Sequence, residues 1–245
     1  MSVLVMYNTI MAVAVGAGLI GVALLGRQLE NRQAVASEGW SLLFGILGLI
    51  LSILGFVMTI TWPFRVPGTF TGNVLMGEPS VAFGLLLLAA SFYLWQRRSV
   101  FAAVGSSSEA ESSDALSVIN RTLKPVSIFV FGVGLMMLAC AVAWIRYRLG
   151  NAPSVEPLTG YLATVVLKNA PIAESYFLGI LWGLVALGAL LFPVLLSKRG
   201  ASVISKIIFI AWMVAGCAFL GFGALNFYTH VGLISNTTNG TDFKL

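Results

Sequence analysis

The sequence predicts an all-α integral membrane protein, a bundle of six transmembrane helices, on two grounds. Of its 245 residues, 58% are hydrophobic and only 9% are charged, against roughly 45–50% apolar and about 25% charged in soluble domains. The 14 basic and 9 acidic side chains are too few to solvate a body of 26.1 kDa. The second ground is that the apolar residues fall into six long runs, where a helix needs roughly 20 such residues to cross about 30 Å of hydrocarbon. Together these exclude a soluble enzyme, a disordered chain and a nucleic-acid-binding domain, despite a net charge of +5. Strands are excluded too, because the runs are continuous rather than alternating and an open sheet edge cannot face lipid.

The runs are Val3–Gly26, Trp40–Trp62, Ser80–Trp95, Ser127–Trp144, Ser175–Leu196 and Ile207–Tyr228, with no ionisable Asp, Glu, Lys, Arg or His well inside any of them. The first has no basic region before it and no cleavage site, so it is expected to remain as an anchor. Gly45 and Gly48 in the second, and the small-xxx-small pair Gly179 and Gly183 in the fifth, suit close helix packing. Pro79 is expected in the first turn of the third run and Pro193 at a kink in the fifth. Cys140 and Cys217, in the fourth and sixth runs, read as small polarizable core residues. Asn8 and Asn226 suit interhelical hydrogen bonds or, alternatively, a substrate groove.

Orientation follows the lysines and arginines. Arg27, Arg32, Arg97, Arg98, Arg121, Lys124, Lys198, Arg199 and Lys206, nine of the 14, lie in the first, third and fifth loops. That side is expected to be cytoplasmic in the plasma membrane, with both termini outside. The whole chain, 1–245, reads as a single membrane domain. Residues 99–126, rich in serine and acid around Ser106–Asp114, are expected to form a partly disordered cytoplasmic linker. Leu158, Tyr161, Leu162, Val165 and Val166 recur at helical spacing, predicting a short amphipathic helix over about 157–168 in an outer loop. Residues 229–245 are expected as an extracytoplasmic tail, in which Asn236 and Asn239 begin tandem N-glycosylation sequons.

The chemistry is mostly negative. One histidine, His230, cannot supply bis-histidine haem ligation. Two cysteines and that histidine make no metal motif, and no phosphate-binding loop or nucleophile elbow is present. No cofactor, metal or catalytic residue is therefore expected. The distinctive stretch is Thr61-Trp62-Pro63-Phe64 followed by Gly72-Asn73-Val74-Leu75-Met76-Gly77-Glu78-Pro79-Ser80 and Phe83-Gly84. Glu78 reads either as a carboxylate complementing a helix N-terminus or as the lining of an outer vestibule that binds cations. Glu174 has the same two readings. Asn73 and Glu78 before the third run are echoed by Asn169 and Glu174 before the fifth, as a duplicated hairpin or a coincidence. With His230, the residues Asn73, Glu78 and Glu174 make up the candidate polar site of the outer face.

The tryptophan–proline–phenylalanine ending, the glycine–glutamate–proline–serine return and the phenylalanine–glycine helix start resemble the membrane family catalogued as domain of unknown function 981, chiefly archaeal, over Gly39–Trp95. The resemblance implies a fold and a lineage but no activity. Two functions stay open. The first is a non-catalytic accessory or structural subunit of a larger membrane complex, such as a respiratory one, with other membrane subunits or further copies of itself as partners. The second is a carrier or channel for small solutes or ions with an extracytoplasmic carboxylate vestibule.

Overall fold

The computed structural model describes residues 7–61, 70–149, 156–158, 160, 168, 170–197 and 202–241. Among the described residues seven helices follow in order: α1 (Tyr7–Glu30), α2 (Ser37–Thr61), α3 (Phe70–Gln96), α4 (Arg98–Ala103), α5 (Glu109–Tyr147), α6 (Ala170–Ser197) and α7 (Ser202–Asn239). All but α4 are long and apolar enough to cross a bilayer. Among the described residues there is no strand. The amphipathic helix expected over about 157–168 falls almost wholly outside the described residues, as does Asn169.

The helices assemble as three antiparallel pairs: α2 with α3, α5 with α6, and α1 with α7. Each pair closes at positions where a side chain would intrude on a neighbouring backbone. A Cβ on Gly48 would lie 2.8 Å from the Gly84 carbonyl oxygen, and one on Gly84 would lie 2.6 Å from the Ser52 nitrogen. Ser41 and Ser91 complete that seam, each hydroxyl donating to the other's carbonyl oxygen, at 2.9 and 2.7 Å. Between α1 and α7, Gly16 meets the backbone of Gly216 and Leu220. Between α5 and α6, Gly134 meets Leu190, and Gly179 meets Ile145 and the Ala141 carbonyl. Lipid tails are as apolar as leucine, so burial from water does not drive these contacts. Dispersion at short range does, and small residues permit it. Gly45 faces the Ser91 hydroxyl across the same seam, whereas an added Cβ on Gly183 would meet nothing within 4 Å. The Gly179/Gly183 pair thus contributes one packing residue, not two.

The α1/α7 pair stands in the middle. It joins α2 through α1 and α6 through α7, so the two hairpins flank it. At one end, polar contacts tie the elements together: Ser205 donates to Glu30 at 2.8 Å, Trp40 Nε1 donates to Gln28 at 3.0 Å, and Arg32 reaches Glu109 at 3.3 Å. The first connection, the start of α5 and the start of α7 therefore meet at a common end of the bundle.

Three expectations need correction. The stretch 99–126, expected as a partly disordered linker, is helical in α4 and again from Glu109. Ser108 caps α5, its hydroxyl accepting from the Glu111 N–H at 3.5 Å, and Glu109 and Glu111 occupy the positively polarised first turn. The serines and acids read as solvating groups are a helix start, and Ala115 and Ile119 behind them are buried beside Phe101 and Val104. Second, α3 begins at Phe70, so Pro79 lies inside the helix rather than in its first turn. Membrane helices tolerate such prolines because neighbouring helices re-satisfy the freed carbonyl. Third, the tail expected from residue 229 is helical to Asn239, with Thr237 donating back to the Leu233 carbonyl at 2.7 Å. In addition, Cys140 is half-buried while Cys217 is exposed on α7, outside the core where both were expected.

Replacing Gly84 by alanine is expected to lower stability by about 1–3 kcal/mol through overpacking of the α2/α3 seam. Gly183→Ala, in open space on a helix, is expected to be neutral or to gain up to about 1 kcal/mol of helix propensity. Thermal melts of the two variants in one detergent compare them directly.

Candidate functional site

Because α1 and α7 hold the two hairpins apart, the inner faces of α1, α3, α5, α6 and α7 do not close on one another. They leave a chamber of about 330 Å³, at the lower end of the range of roughly 300–1,000 Å³ typical of ligand sites. Val22, Phe83, Leu87, Val130, Val185 and Phe219 represent its five walls. Its lining along α3 runs from Pro79 to Leu94, about 22 Å at the helical rise of 1.5 Å per residue. The space is a slot parallel to the helices. Among the described residues no Asp, Glu, Lys, Arg or His lines it, and the hydroxyls that do are those of Ser80, Tyr93 and Thr122.

The chamber lies between two packed cores. One joins α5, α6 and α7 around Trp144, Trp182 and Trp212, with Leu19 and Ala23 of α1 and Leu75 of α3. The other joins α1 to α4 with the first turns of α5. Helices α1, α3 and α5 enter both. The seam between α3 and α5 is sparse compared with the three pair seams. Tyr93 bridges it, its hydroxyl lying 3.2 Å from Thr122 Oγ1. The slot is thus bounded on one side by two long apolar helices that scarcely pack on each other.

The residues singled out in the sequence sit in different settings. Glu78 is more than two turns inside α3, beyond the reach of the free N-terminal amides, so the helix-end reading does not apply to it. It is exposed. Among the described residues it forms no ion pair. Asn73 lies early in α3 with its side chain outside the described part. Glu174 is half-buried in the second turn of α6 and has an interaction partner. Asn226 is buried on α7, while the Asn8 side chain is outside the described part. Asn236 and Asn239 sit in the last turns of α7, and Asn236 Oδ1 accepts from the Thr241 hydroxyl at 2.9 Å.

His230 has a partner that sequence reading missed. Its Nε2 lies 3.7 Å from Glu156 Oε1, and the Glu156 side chain is only 7% exposed. Pro157, the next residue, packs against Gly232 so closely that a Cβ there would collide with its ring. The connection between α5 and α6 is thereby pinned to α7 by an acid–imidazole contact and a proline–glycine contact at positions two residues apart on the helix. Nothing in a single chain relates positions 156 and 230. The only local signal was an acid directly before a proline in a segment of low charge.

These features define a six-helix integral membrane protein with an internal apolar chamber. A family model described as "Protein of unknown function (DUF981)" matches residues 1–232, and the chain belongs to that family. The resemblance carried by Gly39–Trp95 therefore extends over nearly the whole chain. No curated protein and no solved structure matches it.

Glu156→Ala leaves His230 without its acidic partner in a half-buried setting, and is expected to destabilise the connection between α5 and α6 by about 1–3 kcal/mol. Limited proteolysis from the side of residue 156 should cut the variant faster than the parent, with the transmembrane core unaffected.

Proposed function

We propose that this is a non-catalytic multi-pass protein of the plasma membrane that takes an apolar chain from the bilayer into the slot between its hairpins, and serves as an accessory subunit of a larger membrane assembly. The carrying observation is the chamber itself, long, laterally bordered by the loose α3/α5 seam and free of charged lining residues. An apolar cavity left empty forfeits dispersion contacts, at roughly 24 cal/mol per Å³ in cores. For a space of this volume that is on the order of several kcal/mol. A hydrocarbon chain recovers those contacts, and the surrounding solvent consists of such chains. The excess of basic residues in the first, third and fifth connections supports both termini being extracytoplasmic.

A carrier for ions or polar solutes draws less support. Charged or carbonyl groups near the midplane normally provide such a path, and the chamber offers three hydroxyls instead. Glu78 and Glu174 differ in environment, one exposed and one half-buried, and neither is among the residues that line the chamber.

Filling the slot tests the reading. Ala90→Phe and Val130→Phe each place a ring in the chamber from opposite sides of the α3/α5 seam. After mild-detergent purification from native membranes, the parent is expected to retain about one tightly held lipid-derived molecule per chain and to migrate with associated membrane proteins. The filled variants are expected to lose most of the retained molecule. Equal retention by all three would reject the chamber as the binding site, and a lone chain in every preparation would reject the accessory role.

A further inference from the structure

Among the described residues, one carboxylate beside the chamber has no counter-charge. Glu78 directly precedes Pro79 and Ser80, both of which line the slot, and it lies inside the apolar stretch Leu75–Gln96 of α3. A Cβ on Gly77, the residue before it, would lie 2.8 Å from Thr59 Oγ1, so Glu78 is level with the last turns of α2. At 3.6 residues per turn, Leu75 and Tyr93 fall about 60° from it on one side and Leu85 about 20° on the other. Leu75 joins the core that holds Met137 and Trp144 of α5, and Tyr93 reaches Thr122 of the same helix. Leu85 is 52% exposed. Glu78 therefore stands on the border between the α5-facing and the bilayer-facing sides of α3. Glu30, Glu109 and Glu156 each have a basic or imidazole neighbour and Glu174 has a partner, whereas Glu78 forms no ion pair among the described residues. An ionisable side chain within a membrane span is costly, and its position points to a functional partner.

We infer that the occupant is an amphiphile with one apolar chain and a protonated amine, the chain lying along the slot and the ammonium pairing with the Glu78 carboxylate at the Pro79–Ser80 end. This rests on the chamber reading above and adds the polar half of the ligand. The slot continues from Pro79 and Ser80 to Tyr93 and Leu94, which leaves its length for the tail. A bare metal ion fits less well, because it takes several ligands at once. Among the described residues no group of three or more acids, histidines or cysteines could hold one. An ammonium needs a single carboxylate to balance its charge, and its tail suits the apolar walls. Two sources share this chemistry: the amine head of a membrane lipid and a free lipophilic amine.

Equilibrium dialysis of the full-length protein in neutral-detergent micelles, against protein-free micelles, tests the inference. The probes are dodecylamine, dodecanol and a single-chain lysophosphatidylethanolamine at neutral pH. The wild-type protein is expected to hold dodecylamine about fivefold more tightly than dodecanol, the upper end for an exposed ion pair. Lysophosphatidylethanolamine held as tightly as dodecylamine identifies the lipid head as the source. Held no better than dodecanol, it identifies the free amine. Glu78→Gln is expected to bring dodecylamine down to the level of dodecanol while keeping dodecanol bound. Glu38→Gln, which removes an equal charge from the exposed first turn of α2, is expected to preserve the preference. Ala90→Phe, which fills the slot, is expected to release both single-chain probes. If wild type holds dodecanol as tightly as dodecylamine, or if Glu78→Gln keeps the preference, the inference is overturned while the chamber reading stands. Dodecylamine still held by Ala90→Phe as by wild type would place the amine outside the slot, and overturns the inference too. If no probe is retained above the micelle background, the chamber reading falls as well. Should Glu78→Gln fail to fold, the wild-type comparison of amine with alcohol decides alone.

Discussion

In hydrocarbon, two helices gain little from hiding apolar surface, so what holds this bundle is how closely their backbones approach. Gly16 against Gly216, Gly48 against Gly84, and Gly134 and Gly179 against the partner helix each remove the side chain that would keep two helices apart. The rest of the architecture depends on where these residues fall. They produce three tight pairs, and the tightness is spent within the pairs. Between pairs, larger side chains such as Phe83, Trp182 and Phe219 meet at longer range. With the first and last long helices forming the central pair, the two hairpins are held on either side of it and the interior stays partly open.

That opening is where structure turns toward function. A soluble protein with an apolar slot of this size would collapse or fill with a partner, whereas a membrane protein has chains at hand on every side. The slot's borders show how occupancy could be regulated without charge. Helix α5 belongs to both cores, yet its seam with α3 is sparse and carries the Tyr93–Thr122 contact. The connection between α5 and α6 is pinned through Glu156 and Pro157 to α7.

Most of the fold was legible, because a run of apolar residues without charge has few alternatives to a membrane helix. All six runs lie within or overlap helices of the structure. What hydropathy could not locate was where each helix ends. Ser108, Glu109 and Glu111 have the composition of a solvated linker, and only the capping contact and the burial of Ala115 and Ile119 show that α5 starts there. Likewise Gly77-Glu78-Pro79-Ser80 has turn chemistry, but Gly77 packs on Thr59 of α2, and the helix continues through the proline. The site was far less legible. Chamber residues such as Val22 and Val130 look like any lipid-facing valine until the pairing of helices is known. The attention drawn by Glu78 and Glu174 came from charge being rare. Glu156, equally rare, escaped notice because its partner is remote in the chain.

The central claim is that hydrocarbon chains occupy the space enclosed by the hairpins, and intermolecular proton contacts in lipid nanodiscs measure this most directly. Val22 on α1 and Val185 on α6 line the interior, while Leu42 and Ile128 are 67% and 76% exposed on the outer surface. With methyl-labelled protein, chain-methylene cross-peaks are expected at Val22 and Val185 as well as at Leu42 and Ile128. Cross-peaks confined to Leu42 and Ile128, with Val22 and Val185 in contact only with protein, would contradict it.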